Sequence, residues 1–372
     1  MNALFWALVL IVFYVYAGYP LSIFLLSLAR GKKITKREFY PDVSLVISAY
    51  NEERHIAAKL ETIGQLDYPR DKLEILVGSD GSTDKTEEIV SRYSGAGVRL
   101  YAVSPRQGKP AMLNRLVPLA KGEIIVFTDA RQRLDKDSLK ELTANFADEK
   151  VGSVSAELVF ENEDSQPARG IGLYWRYEKF IRGCESRLDS MLGATGAMYA
   201  IRKELFPGLP RDLILDDMYI PLQIVRKGCR AVFEPRARIF DRMAADGREE
   251  FSRKARTLAG NFQLFVYLKE MFNPFRSAVA WQLWSHKFLR LMVPFLLILI
   301  FAVNLLILGN VFYRWTLAAQ LIFYLLAAGK YLLKINSRFL EAPYMFCLMN
   351  AAAVAGLYRF LANKQRVTWQ KN

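Results

Sequence analysis

The residues that could carry chemistry form an ordered series along the middle of the chain. They are Asp80, Asp129, Asp216 with Asp217, and Arg253 with Arg256. The first two follow runs of apolar, β-forming residues, so they are expected at strand ends. Carboxylates there suit a ligand that carries phosphates and a divalent ion, and arginines suit phosphate groups. The series predicts an enzyme that uses an activated, phosphate-bearing donor.

The composition limits the kind of metal site that the chain can build. His55 and His286 are its only histidines, and its three cysteines, Cys184, Cys229 and Cys347, are far apart. This spacing gives neither a zinc motif nor a disulfide framework and is typical of a reducing cytosol. Any metal is therefore expected to be held by oxygen atoms, which favours Mg²⁺ or Mn²⁺.

The chain of 372 residues carries a net charge of +14, and much of this excess flanks apolar segments. Five basic residues lie within residues 30–37, directly after the first apolar run. This placement is typical of residues that face anionic lipid headgroups on the inner side of a membrane. We therefore expect membrane lipids as partners and no nucleic acid.

Apolar segments divide the chain into four parts. The prediction is an N-terminal transmembrane anchor (1–30), a cytosolic domain (38–247), amphipathic or interfacial helices (248–287) and a C-terminal transmembrane region with a basic tail (288–372). Three apolar blocks in the tail (288–308, 315–333 and 343–361) would place Lys364, Arg366 and Lys371 outside, against the positive-inside rule. The number and topology of the tail spans therefore stay open.

The cytosolic part alternates between short β-branched runs and helical stretches. Strands are expected at 43–49, 73–79, 98–103 and 123–128, with further ones at 151–160 and 229–234. A long helical stretch is expected at 167–191. Such alternation predicts an α/β fold with an open, mostly parallel sheet, whose ligands bind beyond the carboxyl ends of the strands. Asp80 and Asp129 occupy such ends.

Each motif also has a structural interpretation. Lys109 follows Gly108, but the spacing of a phosphate-binding P-loop is absent, so it is either a solvated charge or a phosphate contact. Asp129 could merely end a strand, and Asp217 could cap the helix that follows it. Only the ordered combination favours a catalytic site.

The ordered motifs resemble those of the membrane-bound family 2 glycosyltransferases, a group that includes synthases of cellulose, hyaluronan and poly-N-acetylglucosamine. The similar segments are Tyr50-Asn51-Glu52-Glu53, Asp80-Gly81-Ser82-Thr83-Asp84, Gly108-Lys109 with Asn114, Asp129 and Asp216-Asp217. The resemblance covers about residues 42–261. It implies a GT-A-type open mixed sheet with flanking helices, a nucleotide-diphosphate sugar donor, usually UDP-linked, and inversion at the anomeric carbon.

The resemblance also implies roles by position. Tyr50, Glu52 and Asp80 would contact the nucleoside, Lys109 the nucleoside or diphosphate, Asp129 the metal, and Asp217, beside Asp216, would be the general base. Arg256, with Arg253, would bind the diphosphate. Two departures matter. Arg131 stands where the family commonly has a second acid, so it would meet a donor phosphate instead of the metal. The Gln and Trp of the family's Gln-x-x-Arg-Trp motif are missing around Arg256, which puts processive synthesis in question.

The sequence thus predicts a multi-pass inner-membrane inverting glycosyltransferase with its catalytic domain in the cytosol. Its acceptor would be a growing polysaccharide or a lipid, with single-sugar transfer to a lipid as the alternative to chain elongation. Partner subunits of an export or assembly system are compatible with this function. A catalytically silent membrane scaffold, suggested by Arg131, is a rival. A transporter would leave the strand–helix alternation unexplained.

Overall fold

The computed structural model describes residues 1–161, 169–242, 247–333 and 337–368. Pro167, expected near the start of a helix, and Lys371 of the basic tail lie outside these residues. The described residues fall into two compact units. The membrane unit contains 1–29, 169–181, 247–333 and 337–365, and the catalytic unit contains 30–161, 182–242 and 366–368.

The catalytic unit is built on one eight-stranded mixed sheet, with strands in the order β3-β2-β1-β4-β7-β6-β8-β5. The strands are β1 (Val43–Ala49), β2 (Leu73–Asp80), β3 (Val98–Val103), β4 (Ile124–Thr128), β5 (Arg133–Leu134), β6 (Val151–Phe160), β7 (Met198–Arg202) and β8 (Arg230–Asp241). The first four are parallel, and β7 is antiparallel to both β4 and β6. The predicted open mixed α/β sheet is confirmed.

Helices flank this sheet because each connection between parallel strands must cross one of its faces. They are α3 (Ile56–Gly64), α4 (Thr86–Ser91), α5 (Lys109–Leu119), α6 (Ser138–Thr143) and α8 (Asp216–Arg226), while α7 (Arg169–Leu188) passes from one unit into the other. Ile56, Leu60 and Ile63 of α3 recur at helical spacing and are buried in the main core with alternate residues of β1. The central strands read as continuous apolar runs because both of their faces are covered.

The strand register aligns the expected site residues along one edge of the sheet. Ala49 is paired with Ser79 and Val103 with Asp80, so β1, β2 and β3 end together. Thr128, the last residue of β4, is paired with Met198, the first residue of β7. The segment before Met198 therefore reaches the same edge as Asp80 and Asp129.

The membrane unit consists of long helices. These are α1 (Asn2–Phe13), joined through a π-helical turn to α2 (Tyr19–Arg30), α9 (Gly247–Tyr267), α10 (Ala280–Gln282), joined through another π-helical turn to α11 (Leu289–Leu305), α12 (Val311–Leu333) and α13 (Arg338–Leu361). Four runs within the described residues are long and apolar enough to cross a membrane: Asn2–Arg30, Ala280–Leu305, Val311–Leu333 and Phe339–Leu361. They correspond to the four apolar segments expected from the sequence.

Candidate active site

The turn after β1 and the turn after β2 are tied together by hydrogen bonds. The Asn51 N–H donates to Ser82 Oγ (3.2 Å), and the Thr83 N–H donates to Asn51 Oδ1 (2.8 Å). The Glu52 N–H donates to Thr86 Oγ1 at 2.7 Å. Asn51 has φ 52°, a conformation that Asn tolerates better than most residues. Tyr50 and Glu52, both expected near the nucleoside, are thereby fixed beside the end of β2.

Asp80 organises the loop that leads into α5. Its side chain is buried (3% exposed), and its two oxygens accept hydrogen bonds from the Gln107 and Gly108 N–H groups, each at 2.7 Å. Gly108 has φ 96°, which favours glycine. Asp80 was expected to contact a nucleoside, but both of its oxygens already bind backbone that positions Lys109. Its nucleoside contact stays a prediction.

Arg106, in the same loop, was missed by the reasoning from sequence. Its guanidinium carbon lies 3.4 Å from the centroid of the Tyr50 ring, and its Nε lies 3.8 Å from Asp80 Oδ2. An arginine stacked on a tyrosine presents a flat, positively charged surface. The only signal in the sequence is an arginine two residues before Gly108, which by itself predicts nothing.

Lys109 brings three of the expected residues together. Its Nζ lies 3.2 Å from Asp129 Oδ1 and 3.3 Å from Asp216 Oδ2. Tyr199 donates a hydrogen bond to Asp216 Oδ2 at 3.0 Å. Burial lowers the pKa of Lys109, but Asp129, Asp216 and Asp217 outweigh this effect and raise it above its usual value. Lys109 is therefore a fixed positive charge among carboxylates. Its two ion pairs do not fit the interpretation of Lys109 as a simple solvated charge.

Asp217 is the second residue of α8, next to the buried Asp216. Burial, followed by repulsion from Asp216, raises the pKa of the Asp217 carboxyl to about 6, although Lys109 opposes the rise. The backbone at Gly196 makes room for this carboxylate, since a Cβ added there would lie 3.1 Å from Asp217 Oδ2. The result is a half-buried carboxylate that is ionised at neutral pH and more basic than a surface aspartate.

The segment from Thr128 to Gln132, which carries Asp129, is held at the end of β4 by a buried lysine that the sequence reasoning missed. Lys59 is 2% exposed and donates to Thr128 Oγ1 (2.6 Å) and to the Gln132 carbonyl oxygen (3.0 Å). Burial lowers the pKa of Lys59 to about 7, against the attraction of Asp129 and Asp241. The signal was present in the sequence, because Lys59 falls on the apolar face of α3 with Ile56 and Ile63.

Arg131 has a protein partner in the structure. Its guanidinium binds Asp241 Oδ2 at 2.6 Å, and Gln132 Nε2 donates to the same oxygen at 3.0 Å. Asp241 is buried at the end of β8. Arg131 was expected to meet a donor phosphate, and that role stays a prediction that must now include the ion pair.

The side chains at the site can bind a divalent ion only together with ligands from outside the protein. Among the residues that the structure describes, no group of three or more His, Cys, Asp or Glu side chains is arranged to hold a metal. The Asp129 side chain is 43% exposed and faces the site beside Lys109. Mg²⁺ and Mn²⁺ commonly use one or two carboxylates together with substrate phosphates and water. Asp129 therefore fits an ion that takes its remaining ligands from a diphosphate and water.

Arg253 and Arg256 lie on α9 in the membrane unit, and Arg253 is 3.9 Å from Glu249 on the same helix. The roles of these two arginines stay predictions. The expected site residues that lie in the catalytic unit are Tyr50, Glu52, Asp80, Lys109, Asp129, Arg131, Asp216 and Asp217.

An open mixed sheet with carboxylates and a lysine at its carboxyl edge defines the class of GT-A α/β folds. Residues 44–208 match the Glycosyl transferase family 2 model, and this part of the chain is a family 2 glycosyltransferase domain. The fold of the whole chain is similar to that of the mannosyltransferase PcManGT from Pyrobaculum calidifontis, solved in complex with GDP-Man and Mn²⁺. That comparison has a TM-score of 0.75 and 24% identity and covers 97% of this chain and 99% of that one.

Two curated proteins are similar over shorter stretches. The beta-monoglucosyldiacylglycerol synthase of Nostoc sp. is 34% identical over 126 residues, which is 33% of this chain and 27% of that protein. The poly-beta-1,6-N-acetyl-D-glucosamine synthase of Staphylococcus aureus is 24% identical over 204 residues, 52% of this chain and 48% of that protein. The chain therefore spans between a quarter and a half of these relatives.

Proposed function

We propose that this chain is a membrane-embedded, inverting glycosyltransferase that moves a sugar from a nucleotide-diphosphate donor to an acceptor hydroxyl at the membrane. The observation that carries the proposal is the grouping of Lys109, Asp129 and Asp216–Asp217 at the carboxyl edge of the sheet. The family 2 domain and the four apolar helices support it. The catalytic domain faces the cytosol, where nucleotide sugars are available.

Asp217 is the general base of this reaction. A sugar or lipid hydroxyl is a weak nucleophile and gains reactivity when a carboxylate takes its proton. The hydroxyl oxygen forms a bond to the anomeric carbon while the bond from that carbon to the diphosphate oxygen breaks, and the proton passes to Asp217. Attack opposite the leaving group inverts the anomeric centre. A pKa of about 6 keeps Asp217 ionised at neutral pH yet basic enough to accept the proton.

Lys109 stabilises the leaving group. Its amine lies between the Asp129 and Asp216 carboxylates, so it is held at the site before the donor binds. The departing nucleoside diphosphate gains negative charge, which a fixed cation stabilises more in the transition state than in the ground state. Bound at Asp129, Mg²⁺ or Mn²⁺ would supply further positive charge to the diphosphate oxygens.

The nucleoside binds beside Tyr50 and Glu52. The two turns that hold these residues are cross-linked by hydrogen bonds from backbone N–H groups to side-chain oxygens, and the stacked Tyr50–Arg106 pair adds a flat surface. Asp80 acts at this end by fixing the loop from Arg106 to Lys109. UDP is the expected nucleoside diphosphate, while PcManGT was solved in complex with GDP-Man, so donors of both kinds belong in the test.

The acceptor is a membrane lipid or a growing glycan held at the membrane. One similar protein is named for a glucosyldiacylglycerol product and another for a polysaccharide. The missing Trp at position 257, where this chain has Thr257, favours single addition over processive synthesis. The size of the product distinguishes single addition to a lipid from processive synthesis of a polysaccharide, whereas the site residues do not.

The test uses membranes that contain the chain, Mg²⁺ or Mn²⁺, and labelled UDP-glucose, UDP-N-acetylglucosamine, UDP-galactose or GDP-mannose. We expect the label from one donor to enter a lipid band or a long polymer, with nucleoside diphosphate released. Asp217→Asn should abolish the transfer, whereas Asp71→Asn, an exposed aspartate elsewhere in the unit, should not. If the intact chain and Asp217→Asn both stay at background with every donor, the proposal is wrong and the silent scaffold is favoured.

A further inference from the structure

A cavity of about 450 Å³ lies among the long helices of the membrane unit. Its lining comes from α1, α11 and α12, together with Phe346 of α13. The lining residues extend from Phe5 to Phe13 on α1 and from Thr316 to Tyr324 on α12. Each of these stretches covers roughly 12 Å at the α-helical rise. The cavity is therefore elongated along the helices, and we call it the lateral slot.

Aromatic contacts close the lateral slot at both ends. At one end Phe5 of α1 packs against Tyr313 of α12, with ring centroids 5.3 Å apart. At the other end the Phe346 ring contacts two rings, those of Tyr16 at 5.4 Å and Phe323 at 5.5 Å. Between these two contacts, the slot separates α1 from α12.

The lateral slot has an apolar floor and an open side. Leu297 and Ile300 of α11 lie on the floor, and Val9 of α1 lies on one wall. Trp6 and Phe13 also line the slot, and they are 44% and 62% exposed. Both belong to a run that is long and apolar enough to cross a membrane. The open side of the slot therefore faces lipid when the chain is embedded in a bilayer.

Polar side chains in the lateral slot already have protein partners. The Asn304 amide is hydrogen bonded to the Thr316 hydroxyl at 3.0 Å. The Gln320 amide nitrogen donates to the Tyr324 hydroxyl oxygen at 2.9 Å and to the Leu297 carbonyl oxygen at 3.4 Å. Hydrogen bonds of this kind join neighbouring helices in membranes. With these groups paired, the lining favours hydrocarbon over water or a polar ligand.

The dimensions of the lateral slot select among apolar occupants. A further transmembrane helix would need a path of about 30 Å through the hydrocarbon, whereas the slot is closed at both ends after roughly 12 Å. Its volume is within the range of about 300–1,000 Å³ that is typical of ligand sites. A single acyl chain is narrow and flexible enough to enter from the open side, where bilayer lipid supplies it.

We propose that the lateral slot holds one acyl chain of a membrane lipid, which stays bound when the surrounding bilayer lipid is removed. The acyl chain fills the space that side chains leave between α1 and α12, and it gains dispersion contacts with Val9, Val12 and Ile300. Because this lipid binds the folded helices only, it also stabilises them. The inference rests on the proposed membrane embedding and is independent of the proposed reaction.

The first experiment counts the lipids that stay bound. The chain is extracted from membranes with a mild detergent, washed free of bulk lipid and analysed by native mass spectrometry. Val9→Phe places a ring in the slot, whereas the control Leu10→Phe places the same ring at a position of α1 that is 61% exposed. We expect about one retained lipid on the unmodified chain and on Leu10→Phe, and about tenfold less on Val9→Phe, because the ring overfills the slot.

The outcomes of this experiment separate the slot from the embedding. A chain that is recovered without detergent in the soluble fraction would contradict the membrane embedding, and with it the proposed function. A chain that needs detergent but retains no lipid would contradict the slot assignment alone. Equal retention by Val9→Phe and Leu10→Phe would also overturn the proposal, because the retained lipid would then lie elsewhere.

The second experiment locates the acyl chain on the unmodified protein. A phosphatidylethanolamine with a diazirine on one acyl chain is added in equimolar amount to the lipid-free protein, illuminated and mapped by peptide mass spectrometry. We expect adducts on Val12, Ile300 and Tyr324, which line the slot. Ile298 and Leu325 are 62% and 69% exposed outside it and should carry few adducts. Adducts found mainly on these exposed residues would show only a general lipid shell and would overturn the proposal.

Discussion

Lys109 Nζ lies 3.3 Å from Asp216 Oδ2, and this ion pair joins the first residue of α5 to the first residue of α8. The two helices begin at the same edge of the sheet although their starts are far apart in sequence. A single cation thus controls the charge of a group that contains Asp129, Asp216 and Asp217. The pH dependence of the reaction should follow from this arrangement.

Asp217 should set the acidic limb of the activity profile. The fold raises its pKa to about 6, mainly through burial, and only the ionised form accepts a proton. We expect kcat/KM to rise about tenfold per pH unit below pH 6 and to level off above it. Asp217→Asn should lower kcat by about 10²–10⁴-fold at pH 7.5, with KM for the donor little changed. A profile that is flat from pH 5 to 8 would rule out this carboxylate as the base.

The same raised pKa has a consequence for stability. A carboxyl whose folded pKa lies above its unfolded value contributes most at low pH, and the contribution is lost as the pH rises through about 6. At pH 7.5, Asp217→Asn should therefore raise the Tm by a few degrees, and at pH 4 by less. Thermal unfolding of both forms in detergent measures the difference, with Asp71→Asn as the control. A lower Tm at pH 7.5 would mean that the ionised carboxylate is a net stabilising group.

Lys109→Met should affect both the donor and the base. Loss of the cation removes stabilisation of the leaving diphosphate, and we expect kcat/KM to fall by about 10²–10³-fold. Because Lys109 lowers the pKa of Asp217, the acidic limb should also move to higher pH. Lys109→Arg should keep the limb near its original position. Lys85→Met, an exposed lysine in the same unit, serves as the control, and an unmoved limb in Lys109→Met would contradict the coupling.

Gly196→Ala tests how accurately Asp217 must be placed. The new Cβ would lie 3.1 Å from Asp217 Oδ2, so the carboxylate must shift by a few tenths of an ångström. Such a displacement at a catalytic base should reduce kcat by about tenfold or more while the Tm changes little. Gly95→Ala, where nothing lies within 4 Å of the added Cβ, is the matched control. Equal kcat values for the two variants would show that this contact has no role.

Local patterns were sufficient to predict β1 to β4 and β6, with bounds within one residue of those in the structure. The run Val43–Ala49 is apolar and β-branched, and its predicted bounds agree with the structure. Position after such runs also placed Asp80 and Asp129 at one edge, because parallel strands share the direction of their carboxyl ends. The predicted last strand, 229–234, was too short, because β8 continues to Asp241 by pairing with both β6 and β5.

Contacts between distant residues were beyond the sequence reasoning. The pairing of Arg131 with Asp241 depends on how β8 returns to the edge of the sheet, and no local pattern records it. No local pattern predicts that Asp80 accepts hydrogen bonds from the Gln107 and Gly108 N–H groups either. From sequence alone, an aspartate at a strand end could equally well bind a ligand.

Lys59→Met should change how stability depends on pH. Burial lowers the folded pKa of Lys59 to about 7, whereas the unfolded lysine stays near its ordinary value. Between these pH values the unfolded chain binds a proton that the folded chain does not, so folding becomes more favourable as the pH rises, by up to about 1.4 kcal/mol per pH unit.

Methionine at position 59 has no such proton, but it leaves Thr128 and Gln132 without their hydrogen-bond donor, at a cost of about 1–2 kcal/mol. We therefore expect the Tm of the unmodified chain to increase between pH 7.5 and 9 relative to that of Lys59→Met. Lys121→Met, at an exposed position, should keep the original slope, and parallel Tm curves for Lys59→Met and the unmodified chain would mean that Lys59 is charged at both pH values.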